Sequence, residues 1–196
     1  CSVLPNSMSP LAKTLKLNGY NTAQFGKCHE GPVWQSSPVG PFDQWPTGGG
    51  GFEHFYGFIG GEAHQWYPSL YEGTTPIDAP KTPEEGSHLV EDMTDTAIGW
   101  IPQQKALAPD KPFFVYFAPG ATPDTHHLPK EWADKYKGKF DAGWDALREE
   151  TFARQKKLGV IPADTELTPR PEDVPAWDAM PEEFKPVLRR QMEVYA

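Results

Sequence analysis

The sequence predicts an α/β fold with a mostly parallel sheet flanked by helices. Three observations carry this reading. Phe113 to Phe117 is a continuous apolar run after a proline, the pattern of a buried parallel strand. Residues 9–25 read as a helix followed by a short strand, which is half of an α/β unit. Residues 84–108 form the longest helical pattern, with Leu89, Met93, Ala97, Ile98 and Ile101 recurring at helical spacing.

Taken in order, Cys1 to Ser7 is extended or irregular. Ser9 as N-cap and Pro10 at the first helical position start a helix. Leu11, Leu15 and Leu17 give it an apolar side, and Asn18-Gly19 stops it. Tyr20 to Phe25 is a strand that Gly26 ends. Residues 31–83 are a long irregular region rich in Gly, Pro and Trp, with room for a short strand within Phe52 to Ile59. Its Gly48–Gly51 run lacks the Lys-Ser/Thr of a phosphate loop and is not read as one. Pro102 should kink or end the long helix. Further helices are expected at 130–136, at 143–158 ending on Gly159, and from Pro181 to Ala196. The last has an apolar stripe of Phe184, Val187, Leu188, Met192 and Tyr195. Two clear central strands are few for so many helices, whose apolar faces need a sheet to cover.

A length of 196 residues suits one domain with a real core. Hydrophobic content of 38% and aromatic content of 13% mark a globular chain rather than a disordered one. The 22 prolines are about twice the usual share and imply many irregular connections. A net charge of -9 argues against a nucleic-acid partner, which would call for a basic stripe. It leaves an anionic ligand open, because local charge steers ligands. Two cysteines make no disulfide framework, and no apolar run is long enough to span a membrane.

The chemistry-bearing stretch is Gly19 to Glu30, where Lys27, Cys28 and His29 follow the strand at once. In an extended backbone Lys27 and His29 share a face, about 6–7 Å apart along the chain, with Cys28 on the other. A cation and an imidazole side by side suit a small tetrahedral anion, Lys as a point charge and His as donor or proton relay. Their place beyond the carboxyl end of a strand is where α/β folds hold ligands.

The same stretch, G-Y-x-T-x-x-x-G-K-x-H, resembles the second signature of the sulfatase family, in the alkaline-phosphatase-like superfamily. Further similar segments follow in order: Gly51 to Phe58, Pro112 to Pro119, Lys130 to Gly138 and Arg190 to Ala196. Together they make the chain resemble bacterial arylsulfatases over nearly its whole length. The resemblance implies an alkaline-phosphatase-like fold and residues 1–196 as part of a single catalytic domain, truncated at both ends. It implies hydrolysis of a small-molecule sulfate ester, with Lys27 and His29 as catalytic and sulfate-binding residues. It also implies a Ca²⁺ ion and a formylglycine nucleophile, both held by residues outside this segment. A phosphate or phosphonate monoester hydrolase of the same superfamily is an alternative, and a degenerate anion-binding homologue is another.

Two departures from the family pattern stand out. Cys1-Ser2-Val3-Leu4-Pro5 does not match the C-x-P/S-x-R motif that yields formylglycine, and Cys28 reads as a small, inert packing residue. In Ala118 to Pro129, Pro123 occupies the position where arylsulfatases of this type carry an active-site histidine, and His126 and His127 match a later pair. Asp43, Glu53, Asp92 and Asp95 are scattered carboxylates, although Asp92 and Asp95 share a helical face. No cluster offers the six to eight oxygens calcium requires, so no metal ligand is assigned.

Overall fold

β1 (Asn21–Cys28) is the strand on which the first of two units, Cys1–His127, is built; Leu128–Ala196 forms the second. The computed structural model describes residues 3–5, 7–121 and 124–196. The strands are completed by β2 (His54–Ile59), β3 (Leu70–Glu72), β4 (Thr75–Ile77) and β5 (Phe113–Ala118), in the order β4-β3-β2-β1-β5. β1 runs parallel to β2 and to β5, while the short β3 and β4 extend the sheet as an antiparallel hairpin. The expected α/β class with a mostly parallel sheet is therefore present, and the sheet is larger than the sequence indicated. β3 and β4 carry too few residues for a period-2 pattern to stand out in a Gly- and Pro-rich stretch.

β1 alternates its faces. Ala23 and Phe25 are buried against Leu89, Met93 and Ala97 of helix α2 (Leu89–Leu107). Gly26 does not end the strand, which continues through Lys27 and Cys28. The glycine is needed because neighbouring backbones close on it. A Cβ there would lie 2.1 Å from the Ala118 carbonyl oxygen and 2.5 Å from Met93 Sδ. Across the other ladder, a Cβ on Gly57 would lie 2.0 Å from the Gly26 oxygen. The tetraglycine run also serves packing, since a Cβ on Gly48 would come within 2.2 Å of the Phe42 oxygen.

Helix α1 (Leu11–Leu17) buries Ala12 and leaves Leu11 and Leu17 exposed, so the expected leucine side is not its packing face. A Cβ on Gly51 would lie 2.5 Å from Lys13 Cα, so the close approach uses the small residues instead. Pro10 is the cap residue, and the Ser9 hydroxyl shares a hydrogen bond with Thr14 Oγ1 at 3.0 Å rather than capping the helix. The long helical pattern divides. Pro83–Glu85 forms a 3₁₀ turn closed by a Thr82–Glu85 capping box, left-handed Gly86 ends it, and α2 begins at Leu89. Pro102 neither stops α2 nor falls on its buried side. The backbone bond it removes would have reached the carbonyl of Ile98, which is exposed and can be met by water. β5 is parallel, as expected, but lies at the edge with β1 as its ladder partner among the described residues. Tyr116 and Phe117 are exposed, so the strand is not the buried one its composition suggested.

In the second unit, α3 (Lys130–Asp134), α4 (Gly143–Leu158) and α5 (Lys185–Tyr195) fall near the expected positions, with left-handed Gly159 closing α4. Arg190 bonds both Asp134 and Glu193 at 2.8 Å, fastening α5 to α3. Asp145 accepts the Trp177 backbone N–H at 2.8 Å and pairs with Arg170 at 3.1 Å, which pins the Pro-rich connection onto α4. The expected apolar stripe of α5 is not its buried side. Phe184, Val187 and Tyr195 are exposed, while Lys185 and Glu193 are buried through their ion pairs.

Candidate active site

The register of the sheet brings three loops to one edge. Gly26 is level with Ala118, and Lys27 and Cys28 are level with Phe58 and Ile59. The segments that follow β1, β2 and β5 therefore all leave from the carboxyl ends of parallel neighbours, where such sheets bind ligands.

Lys27 is half-buried at the end of β1, and His29 is the first exposed residue after the strand. The Gly60 N–H donates to the Cys28 carbonyl at 2.8 Å, holding the β2 loop to the β1 end. The His29 imidazole lies over Gly61, where a Cβ would come within 2.8 Å of the ring. A side chain at residue 61 would displace it. Cys28 points the opposite way, is buried, and donates its S–H to Glu30 at 3.2 Å. Burial, reinforced by the Glu30 charge, pushes its pKa up to about 12. A thiol that stays protonated at neutral pH is an inert packing group, not a nucleophile.

The loop after β5 meets the loop after β2. Thr125 Oγ1 donates to the Ala63 carbonyl at 3.2 Å. The His64 and His127 rings lie 4.1 Å apart, and His88, just before α2, bonds the His127 carbonyl at 3.0 Å. His127 has its pKa lowered, first by burial and then by His64. The buried Gln65 side chain donates to the Ala63 carbonyl at 3.1 Å, and the Gln65 carbonyl accepts the Leu89 N–H at 2.8 Å. The loop is thereby tied to the start of α2. His64, Gln65 and His88 are absent from the sequence-derived site. Histidine and glutamine right after the strand-like run to Ile59 are the signal that could have marked the first two. Pro123 and Cys1 lie outside the described residues. His126 is exposed.

The resemblance assigns the calcium ligands and the formylglycine to residues outside 1–196. Among the described residues no group of three or more His, Cys, Asp or Glu side chains could hold a metal ion. Asp92 accepts the Tyr56 hydroxyl at 2.5 Å, and Glu53 accepts the Thr22 N–H at 3.3 Å, so two of the four scattered carboxylates are engaged elsewhere. An ammonium and an imidazole are groups whose chemistry suits an oxyanion.

The model of the Sulfatase family matches residues 2–196. The chain belongs to the sulfatase family. It is 29% identical over 201 residues to an arylsulfatase of Klebsiella aerogenes, covering 98% of this chain and 40% of that protein. It is 31% identical over 204 residues to an uncharacterized sulfatase of Schizosaccharomyces pombe, covering 98% of this chain and 35% of that protein. The chain thus spans less than half the length of the curated relatives it matches. Among solved structures it is similar to Ps i-CgsB in complex with k-i-k-neocarrahexaose, with a TM-score of 0.54 and 20% identity, over 68% of this chain and 31% of that one. At that identity the likeness concerns the fold. No helix of the described residues is long and apolar enough to cross a membrane.

Proposed function

We propose that this sulfatase-family chain takes part in the arylsulfatase-type hydrolysis of a small-molecule sulfate monoester. Its Lys27 and His29 bind the sulfate, and residues 1–196 are part of one catalytic domain. The observation that supports this is the register Lys27↔Phe58 at the end of β1, together with the His29 ring over Gly61 in the loop after β2. Lys27 offers its charge to a sulfuryl oxygen, and His29 offers an N–H to the same group. Hydrolysis breaks the S–O bond to the alcohol, water supplies the oxygen gained by sulfur, and the alcohol oxygen takes a proton. Fixed donors aimed at oxygens that gain charge favour the transition state over the ground state. The calcium ion and the formylglycine expected of the family belong, in this proposal, to residues beyond 1–196.

The test is an exchange experiment. Residues 1–196 replace the matching part of an intact arylsulfatase, with and without Lys27→Ala. Loss of one preorganised charge should lower turnover of an aryl sulfate by about 10²–10³. Equal turnover by the two hybrids would remove Lys27 from the site. A second reading, a degenerate homologue that binds anions without turnover, is favoured by the sequence, which carries Pro123 where arylsulfatases of this type carry an active-site histidine. A hybrid that binds sulfate through Lys27 yet turns over nothing would support it.

A further inference from the structure

Imidazoles hold the loop after β2 in place. His64 Nδ1 accepts the backbone N–H groups of both Trp66 and Tyr67, each at 3.1 Å. The His64 ring centre lies 4.1 Å from that of His127, on the loop after β5, and 5.3 Å from that of Tyr67 on its own loop. We infer that the His64–His127 contact is a pH-operated latch, which joins the loops after β2 and β5 at neutral pH and releases the loop after β2 in mild acid. The latch acts whatever ligand the sheet edge binds.

Hydrogen bonding at His64 sets the direction. A ring nitrogen that accepts two N–H groups presents a lone pair and carries no proton. An imidazolium has donors at both nitrogens and no acceptor. A proton on Nδ1 would set three donors against one another, and both backbone bonds would be lost. His64 is exposed, so water delivers that proton without the chain having to open first. Histidine is also the side chain that ordinarily changes charge between pH 5 and 8.

The facing ring adds repulsion. His127 Nδ1 is buried and has no hydrogen-bond partner among the described residues. Around His127 stand His64, His88 from the segment before α2, and Asp124 and His126 from its own loop. Burial first, then His64, lowers the His127 pKa; Asp124 works the other way, while His88 and His126 reinforce the lowering. A single carboxylate thus stands among four imidazoles, and each proton added to them raises the repulsion across the contact. With its folded value lowered, His127 contributes stability that is complete above the unfolded value of about 6.5. That stability is lost as pH falls toward the folded value, so acid opens the contact and neutral pH closes it.

The backbone around the latch can move. A Cβ on Gly60 would meet nothing within 4 Å, and its φ of 130° suits a pivot. The buried Gln65, whose carbonyl accepts the Leu89 N–H, anchors the loop to the start of α2. Thr125 also joins the two loops through the Ala63 carbonyl, but a single neutral hydrogen bond stabilises little. Between pivot and anchor lies Gly61, which packs against the His29 imidazole. Release in acid therefore lifts the backbone that covers one side of His29.

The experiment is hydrogen–deuterium exchange of the 196-residue chain at pH 7.5 and 5.5, read by mass spectrometry at low protein concentration. Rates are corrected for the intrinsic pH dependence of amide exchange. Protection of peptides covering residues 60–68 should fall by about tenfold at the lower pH, as two backbone hydrogen bonds are lost. Peptides from β1 should keep their protection. His64→Asn should abolish the fall, because the Asn side-chain oxygen accepts the same kind of backbone N–H and does not titrate. His127→Gln removes the facing charge and should shrink the fall. His54→Phe, which removes the imidazole packed on Phe25 and Trp100, should leave it unchanged. Four results would each overturn the inference: no fall in wild type, a fall shared equally by β1, an undiminished fall in His64→Asn or His127→Gln, or a fall that vanishes in His54→Phe.

Discussion

The carbonyl oxygen of Ala118 occupies the space that a side chain on Gly26 would need, 2.1 Å from the ideal Cβ position. This contact sets how closely β1 and β5 can approach, one residue before Lys27. Gly26 also has φ of 106°, which other residues rarely adopt. Gly26→Ala should therefore destabilise the chain by about 3–5 kcal/mol, combining backbone strain with a clash against main-chain atoms. Chemical denaturation of both proteins measures this, and a loss below about 1 kcal/mol would show that β5 moves aside freely.

His54 should make the chain sensitive to mild acid. Burial lowers its pKa, and its ring is sandwiched near Phe25 and Trp100 with Nε2 buried and unbonded. The unfolded chain protonates as pH falls below about 6.5 while the folded chain resists. The stability contributed by neutral His54 is thus present above that pH and is lost as pH falls toward the lowered folded value. Thermal midpoints at pH 7.5 and 5.5 should differ for wild type, and the difference should shrink in His54→Phe. An equal pH response in the variant would assign the effect elsewhere.

Cys28 should resist alkylation. With its pKa near 12, about one molecule in ten thousand carries a thiolate at pH 8. In a Cys1→Ser background, iodoacetamide should label Cys28 in the folded chain at least about a hundredfold more slowly than in denaturant. Glu30→Gln removes one of the causes and should speed labelling modestly, because burial remains the larger one. Rapid labelling of the folded chain would contradict the buried placement.

The exposed β5 edge should drive self-association. Tyr116 is 43% and Phe117 is 40% exposed on a strand whose ladder partner is β1. Open apolar edges pair with other chains, and a charged residue on them opposes this. Light scattering of the 196-residue chain should rise with concentration, and Phe117→Lys should raise the concentration at which it does so. A monomeric wild-type chain at high concentration would rule this out.

Restoring the imidazole at the Pro123 position should raise activity. In the arylsulfatase hybrid carrying residues 1–196, Pro123→His should increase turnover of an aryl sulfate. If both hybrids turn over equally, Pro123 is not at the position of the family's histidine.

Local sequence pattern was enough for the α/β class, most of β1, the parallel β5, α2, and α4 with its Gly159 cap. Each depends on neighbours in sequence: apolar spacing, caps, and the i, i+2 alternation of an extended chain. It also carried enough motif order to point to the sulfatase family. The tertiary structure decided which apolar residues are core. Leu11, Leu17 and Val187 have the right character but face outward, because close backbone approach selected Ala12 and ion pairing selected Lys185 and Glu193. It also decided that Gly26 continues a strand, since what that glycine avoids is an oxygen 92 residues away in sequence, on Ala118. The same holds for His64, His88 and His127, which meet only because β2 and β5 end, and α2 begins, close together. Local pattern fixes what a segment can form, whereas contacts between distant segments depend on register and burial, which no single window of sequence contains.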